Sequence, residues 1–155
     1  MTSTTHERVG EQSIVHRRTF DGSVEDLHRV HTTADLFVRW MGPRGSRVRI
    51  DRFDAVTGGA FDYTVEVGEG RYRFWGAYHE VLPTRIVHTW QFDGEHDVTL
   101  EILELAETAD GRCELTITST YATREACDRM VESGLDEGGM DSDFERIDEL
   151  LAQLA

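Results

Sequence analysis

The sequence predicts an α+β fold in which an antiparallel sheet of about seven strands packs on one long C-terminal helix. Two short helices follow the first strand. Three observations predict it. The middle of the chain alternates apolar and polar residues with period two, the mark of strands with one buried face. Turn signals separate those runs at short spacing, which joins neighbouring antiparallel strands. After Tyr121 the apolar period lengthens to that of a helix.

Taken in order, the first dozen residues are polar and unpatterned, and residues 1–12 are expected to be a frayed tail preceding a single domain over residues 13–155. Ile14 to Phe20 reads as a strand. Asp21-Gly22-Ser23 then turns the chain into a short helix with Val24, Leu27 and Val30 at helical spacing. A second short helix fits Ala34 to Trp40 and ends at Gly42-Pro43. Strands follow in which Val48 and Ile50, then Phe61, Tyr63, Val65 and Val67, alternate with polar residues. Tyr72 to Leu82 carries aromatics on both parities, which suggests a bulge or burial on both faces. Ile86, His88, Trp90 and Phe92 share one parity, as do Val98, Leu100 and Ile102, and then Leu115, Ile117 and Tyr121. The terminal stripe runs through Ala126, Met130, Ser133, Glu137, Met140, Phe144, Ile147, Leu151 and Leu154 in steps of four and three. Such a helix is long enough to cross the sheet.

The length, 155 residues, allows one sizeable core. With 16 Lys+Arg against 30 Asp+Glu the formal net charge is −14, which repels phosphate backbones and anionic lipid, so neither nucleic acid nor membrane is an expected partner. No run approaches the ~20 apolar residues of a bilayer span, and the first residues lack the basic and apolar regions of a secretory signal. Cys113 and Cys127 make no metal or redox spacing. A reduced, cytoplasmic location is expected, without a metal or cofactor.

Several segments resemble a known family. Phe20-Asp21-Gly22-Ser23, Arg39-Trp40-Met41-Gly42-Pro43, and Asp54 with Gly58-Gly59 are similar to its members, with Val56 standing where many have Arg. The longest matching block is Gly76-Ala77-Tyr78-His79-Glu80-Val81-Leu82-Pro83, continuing through Thr89-Trp90. Together they resemble the activator-of-Hsp90-ATPase-like branch of the START-like, or SRPBCC, superfamily. The resemblance covers nearly all the chain beyond the tail. It implies a helix-grip fold, in which a curved sheet grips the long helix, with a cavity between them in many members. It does not carry a reaction, because the superfamily spans lipid carriers, cyclases, resistance proteins and chaperone cofactors.

The candidate site comes from polar groups at positions whose period points inward. His16 and Arg18 share parity with Ile14 and Phe20, His88 lies between Ile86 and Trp90, and Ser133 and Glu137 interrupt the helix stripe. A buried charge is paired or faces a wet cavity. An internal pair such as Arg18 with Glu137 and a pocket lining are both consistent with the pattern. Gly134, Gly138 and Gly139 sit mid-helix, where each costs on the order of 1 kcal/mol relative to Ala. A kink, close packing or space for a ligand would each account for them. The leading functional reading is a binding protein for a hydrophobic or aromatic small molecule, held between sheet and helix. Trp75, Trp90, Met130, Met140 and Phe144 would form apolar walls, with His16, Arg18, His88, Ser133 and Glu137 as polar contacts and Gly134 leaving room. A second reading is a co-chaperone-like module acting on an Hsp90-type ATPase partner, as the resemblance implies. The third is a cyclase- or hydrolase-type enzyme using the same cavity, with His88 or Glu137 as acid–base group. No catalytic constellation is recognisable.

Overall fold

The computed structural model describes residues 3–155, apart from the side chains of residues 135–137. Eight strands form one antiparallel sheet: β1 (Thr5–Val9), β2 (Ser13–Phe20), β3 (Arg47–Phe53), β4 (Ala60–Val67), β5 (Gly70–Leu82), β6 (Arg85–Phe92), β7 (Thr99–Glu107) and β8 (Cys113–Thr120). Their order is β1-β2-β8-β7-β6-β5-β4-β3. Helices α1 (Val24–Thr32) and α2 (Ala34–Trp40) follow β2, and α3 (Arg124–Ser133) and α4 (Leu135–Leu154) end the chain.

Local chemistry explains most boundaries. Ser23 caps α1 by accepting from the Asp26 N–H at 3.0 Å, with Glu25 and Asp26 in the first turn facing the positive helix end. Thr123 caps α3 in the same way through Ala126 N–H. In segment 72–82, Tyr72, Phe74 and Tyr78 share the helix-facing parity, and a register shift follows between Tyr78 and Glu80. Gly76 lies on that same parity because a Cβ there would stand 2.7 Å from the Phe61 ring and 2.0 Å from the Thr89 carbonyl oxygen.

Four expectations need correction. The segment taken for a tail contains β1, which pairs with β2 from Thr5↔Arg17 to Val9↔Ser13. Its sequence, Thr-His-Glu-Arg-Val, has little to bury, so backbone pairing and the contact between His6 and His16 hold it rather than an apolar face. The sheet accordingly has eight strands. The terminal helix is two helices, because Gly134 adopts φ +66° and closes α3 in the left-handed conformation. The inward parity of β7 is Thr99, Glu101, Leu103 and Leu105, opposite to the expected Val98, Leu100 and Ile102. Leu103 faces Ile117 and Glu101 faces Ser119 across the ladder, and Leu100 is left exposed.

The filled core lies where α1 and the C-terminal half of α4 meet β2, β8 and β7. Phe20, Leu27, Val30, Leu115, Ile147 and Leu151 are almost fully buried there. Arg146 on α4 donates to the carbonyl oxygens of Gly42 and Arg39 at 2.5 and 2.6 Å, tying α4 to the C-terminus of α2.

Candidate functional site

Towards the N-terminal half of α4 the packing opens. A concave space of about 970 Å³ lies between that half of α4, α2 and the inward face of β4 to β8. The period-two patterns of β4, β5 and β6 deliver its wall: Phe61 and Tyr63, Phe74 and Tyr78, and Trp90 and Phe92 all project to this side. Phe37, Trp40, Met140 and Phe144 close it from the helices. Phe74 and Trp90 stack at 5.1 Å with 19° between the rings, which gives a flat aromatic surface on the floor.

A short polar row crosses this apolar floor. Tyr78, His88, Glu101 and Ser119 are successive cross-strand partners on β5, β6, β7 and β8. Ser119 Oγ donates to Glu101 Oε2 at 2.8 Å, and His88 Nε2 stands 3.6 Å from Glu101 Oε1. His88 Nδ1 bonds the Thr89 carbonyl oxygen at 2.9 Å; a carbonyl only accepts, so Nδ1 carries the hydrogen. Tyr78 lines the hollow with only 7% of the residue exposed. The Tyr63 hydroxyl donates to Met41 Sδ at 3.7 Å, and burial pushes both tyrosine hydroxyls upward in pKa. On the helix side, Asp143 is pushed up to about 8 by burial, against the lowering effects of Arg146 and a backbone hydrogen bond from Gly42. His31 is lowered to about 4, again chiefly by burial, so it is a neutral ring whose Nδ1 donates to Leu27 O.

Of the residues expected at a site, His88, Trp90, Met130, Met140 and Phe144 line this space. Trp75 does not: it is 40% exposed on the opposite face of the sheet, with the Arg73 guanidinium 5.8 Å from its ring. The alternation of β5 brings Phe74 inward and so turns Trp75 out. His16 is fully buried beside His6, their Nδ1 atoms 2.7 Å apart, and His6 Nε2 reaches Asp141 at 3.1 Å. Arg18 is an internal tie: its guanidinium bonds the Phe144 carbonyl at 2.9 Å and Asp148 at 2.5 Å, over the Phe20 ring. Asp148, one helical turn past Phe144, pairs with Arg18, and the expected partner Glu137 has a side chain outside the described residues. Ser133 is exposed and donates to Met130 O, and Gly134 forms the exposed helix break. Gly138 and Gly139 do line the space, with nothing within 4 Å of a Cβ placed on either.

Sequence reasoning missed Tyr78, Glu101 and Asp143 as site residues. Asp143 was legible: it stands three residues after Met140 and four before Ile147, on the face of the stripe. Glu101 was hidden by the reversed parity of β7. No three or more His, Cys, Asp or Glu among the described residues are grouped to hold a metal ion. No described helix is long and apolar enough to cross a membrane.

An antiparallel sheet curved around a C-terminal helix, with an apolar hollow between them, is the helix-grip arrangement of START-like proteins. Within that class the chain belongs to the family of Activator of Hsp90 ATPase homolog 1-like proteins, whose family model matches residues 21–152. Solved structures with the same fold include a Rhodobacter sphaeroides protein at 24% identity and TM-score 0.90, covering 99% of this chain and 100% of that one. A Staphylococcus epidermidis protein matches at 24% identity and TM-score 0.85, covering 96% and 94%. An Arthrobacter aurescens protein matches at 24% and 0.84, covering 97% and 91%. No curated protein matches the sequence.

Proposed function

We propose that the protein binds an apolar or aromatic small molecule in the hollow between β4–β8 and the N-terminal half of α4. The observation that carries this reading is the hollow itself. Its volume of about 970 Å³ is at the upper end of ligand sites, roughly 300–1,000 Å³, and its wall is mostly aromatic with a few convergent polar groups. A wall of this kind, left unfilled, forgoes dispersion contacts that a ligand of matching shape would restore. Proteins of this fold commonly bind hydrophobic ligands, which supports the same reading. The test is native mass spectrometry of protein purified from its own host, together with titration of the uncharged probe N-phenyl-1-naphthylamine followed by fluorescence. Retained mass, or saturable binding that is weakened by Gly138→Ala, supports the proposal. Apo protein without saturable binding refutes it.

The family description favours a second reading, a surface interaction with an Hsp90-type ATPase. It predicts a stimulated ATPase rate on adding this protein, unaffected by substitutions inside the hollow.

A further inference from the structure

We infer that the hollow takes a cationic ligand, an organic amine or amidine whose charged nitrogen sits between Glu101 and His88 while its apolar body lies along Phe74 and Trp90. This rests on the binding reading above and names the ligand class for that site.

The polar row sets two acceptors face to face whenever His88 Nε2 carries no proton. With His88 Nδ1–H committed to Thr89 O, the other nitrogen of the neutral ring is an acceptor. It faces Glu101 Oε1, also an acceptor, at 3.6 Å, beyond the ~2.7–3.2 Å of a hydrogen bond. Ser119 serves only the other carboxylate oxygen. Two acceptors set against each other are reconciled by a proton on His88 or by an N–H⁺ group placed between them. Tyr78, the cross-strand partner of His88, adds a third polar group on the same floor.

Charge in the wall has one sign. The chain's 16 Lys and Arg positions are all arginine, and none is among the described residues that line the hollow, whereas Glu95 and Glu101 are; Asp143, also in the lining, keeps its proton up to about pH 8. Arg146, beside Asp143, spends its guanidinium on Gly42 and Arg39 carbonyls, and Arg18 is taken by Asp148 and Phe144 O. A carboxylate or phosphate headgroup would therefore enter against Glu101 with nothing to answer it, a costly burial. A cation would gain the Glu101 carboxylate and the negative faces of the stacked Phe74 and Trp90 rings.

The test uses three probes of one shape: 1-naphthylmethylamine, 1-naphthalenemethanol and 1-naphthoate, titrated calorimetrically near 0.15 M salt, where long-range surface charge is screened beyond ~8 Å. The expected order is amine over alcohol over carboxylate, with the amine at least about tenfold tighter than the alcohol. Glu101→Gln should remove most of that tenfold and leave the alcohol unchanged, while Glu104→Gln, on the outer face of the same strand, should change neither. Tyr78→Phe is expected to weaken the amine about threefold. Equal affinity of amine and alcohol, or an equal loss of all probes in Glu101→Gln, would overturn the cation inference while leaving the hollow a binding site. Failure of all three probes would overturn the binding reading and this inference with it.

Discussion

Arg18 is the residue whose role changes most between sequence and structure. Its parity put it beside core side chains, which was right, and left open a pocket lining or an internal pair. The geometry gives it a carbonyl, a carboxylate and two aromatic rings, all binding β2 to α4. Arg18→Ala should therefore cost about 1–3 kcal/mol in urea unfolding, from lost hydrogen bonds and lost packing of the stem. The loss should stop short of the ~3–5 kcal/mol of a stranded buried ion, because Asp148 stays 41% exposed and remains solvated. Weakened probe binding with an unchanged urea midpoint would return Arg18 to the site. Asp143 offers a different measurement. Its carboxyl is pushed from the ordinary 3.8 up to about 8, so between those values the folded protein holds a proton that the unfolded chain has released. Stability from this group is full below about pH 4 and is lost as pH rises through about 8, by no more than ~1.4 kcal/mol per pH unit. Asp143→Asn should remove that slope and leave the variant more stable than wild type above pH 8. Parallel stability curves from pH 5 to 9 would show that water reaches the carboxyl.

At the scale of elements, glycine separates two halves of one sequence pattern. Gly134, Gly138 and Gly139 look alike in the sequence, since each interrupts a helical stripe. Gly134 holds φ +66°, so Gly134→Ala places a Cβ in the left-handed region and should destabilise by about 1 kcal/mol or more. Gly138 is helical with open space at its Cβ, so Gly138→Ala should stabilise by about 0.4–1 kcal/mol and weaken probe binding, because the methyl enters the hollow. Circular dichroism melts alongside probe titrations distinguish the two. The same limit applies to strands. Alternation assigned β4 and β6 to the correct face because one parity carried nearly all the large apolar side chains. In β7 both parities carry leucine or isoleucine, and Leu100 and Leu103 cannot be ranked without knowing which strand lies opposite. Trp75 misled for the same reason, as one of two adjacent aromatics on a strand whose bulge was visible but whose direction was not. The helix stripe was read correctly at Phe144, 4% exposed and set edge-on to Phe20 at 5.4 Å. Phe144→Ala should cost about 3–5 kcal/mol in denaturant unfolding.

At the scale of the whole molecule, packing and openness occupy different parts of the same sheet. β2 and the adjoining part of β8 with α1 and the end of α4 are filled, whereas β4 to β7, the Ile117 side of β8 and the start of α4 bound the hollow. Which end fills depends on side chains from α1, α2 and α4 meeting at distances that no local pattern contains, so the fold was legible in the sequence and the position of the open space was not. The division has a consequence for β1. That strand pairs with β2, its His6 packs edge-on against the fully buried His16, and neither β1 nor β2 is among the described residues that line the hollow. Removing residues 1–10 would turn β2 into an edge, uncover His16 and forfeit a five-residue ladder. The truncated protein should lose about 1–3 kcal/mol of stability, the range of a few uncovered polar and backbone groups. Probe affinity measured well below its melting temperature should stay within about twofold of wild type, because the residues that form the hollow keep their neighbours. A truncated protein that melts like wild type but binds the probe tenfold more weakly would mean that β1 acts on the hollow through α4, by way of His6 and Asp141, and that the two ends of the sheet are coupled.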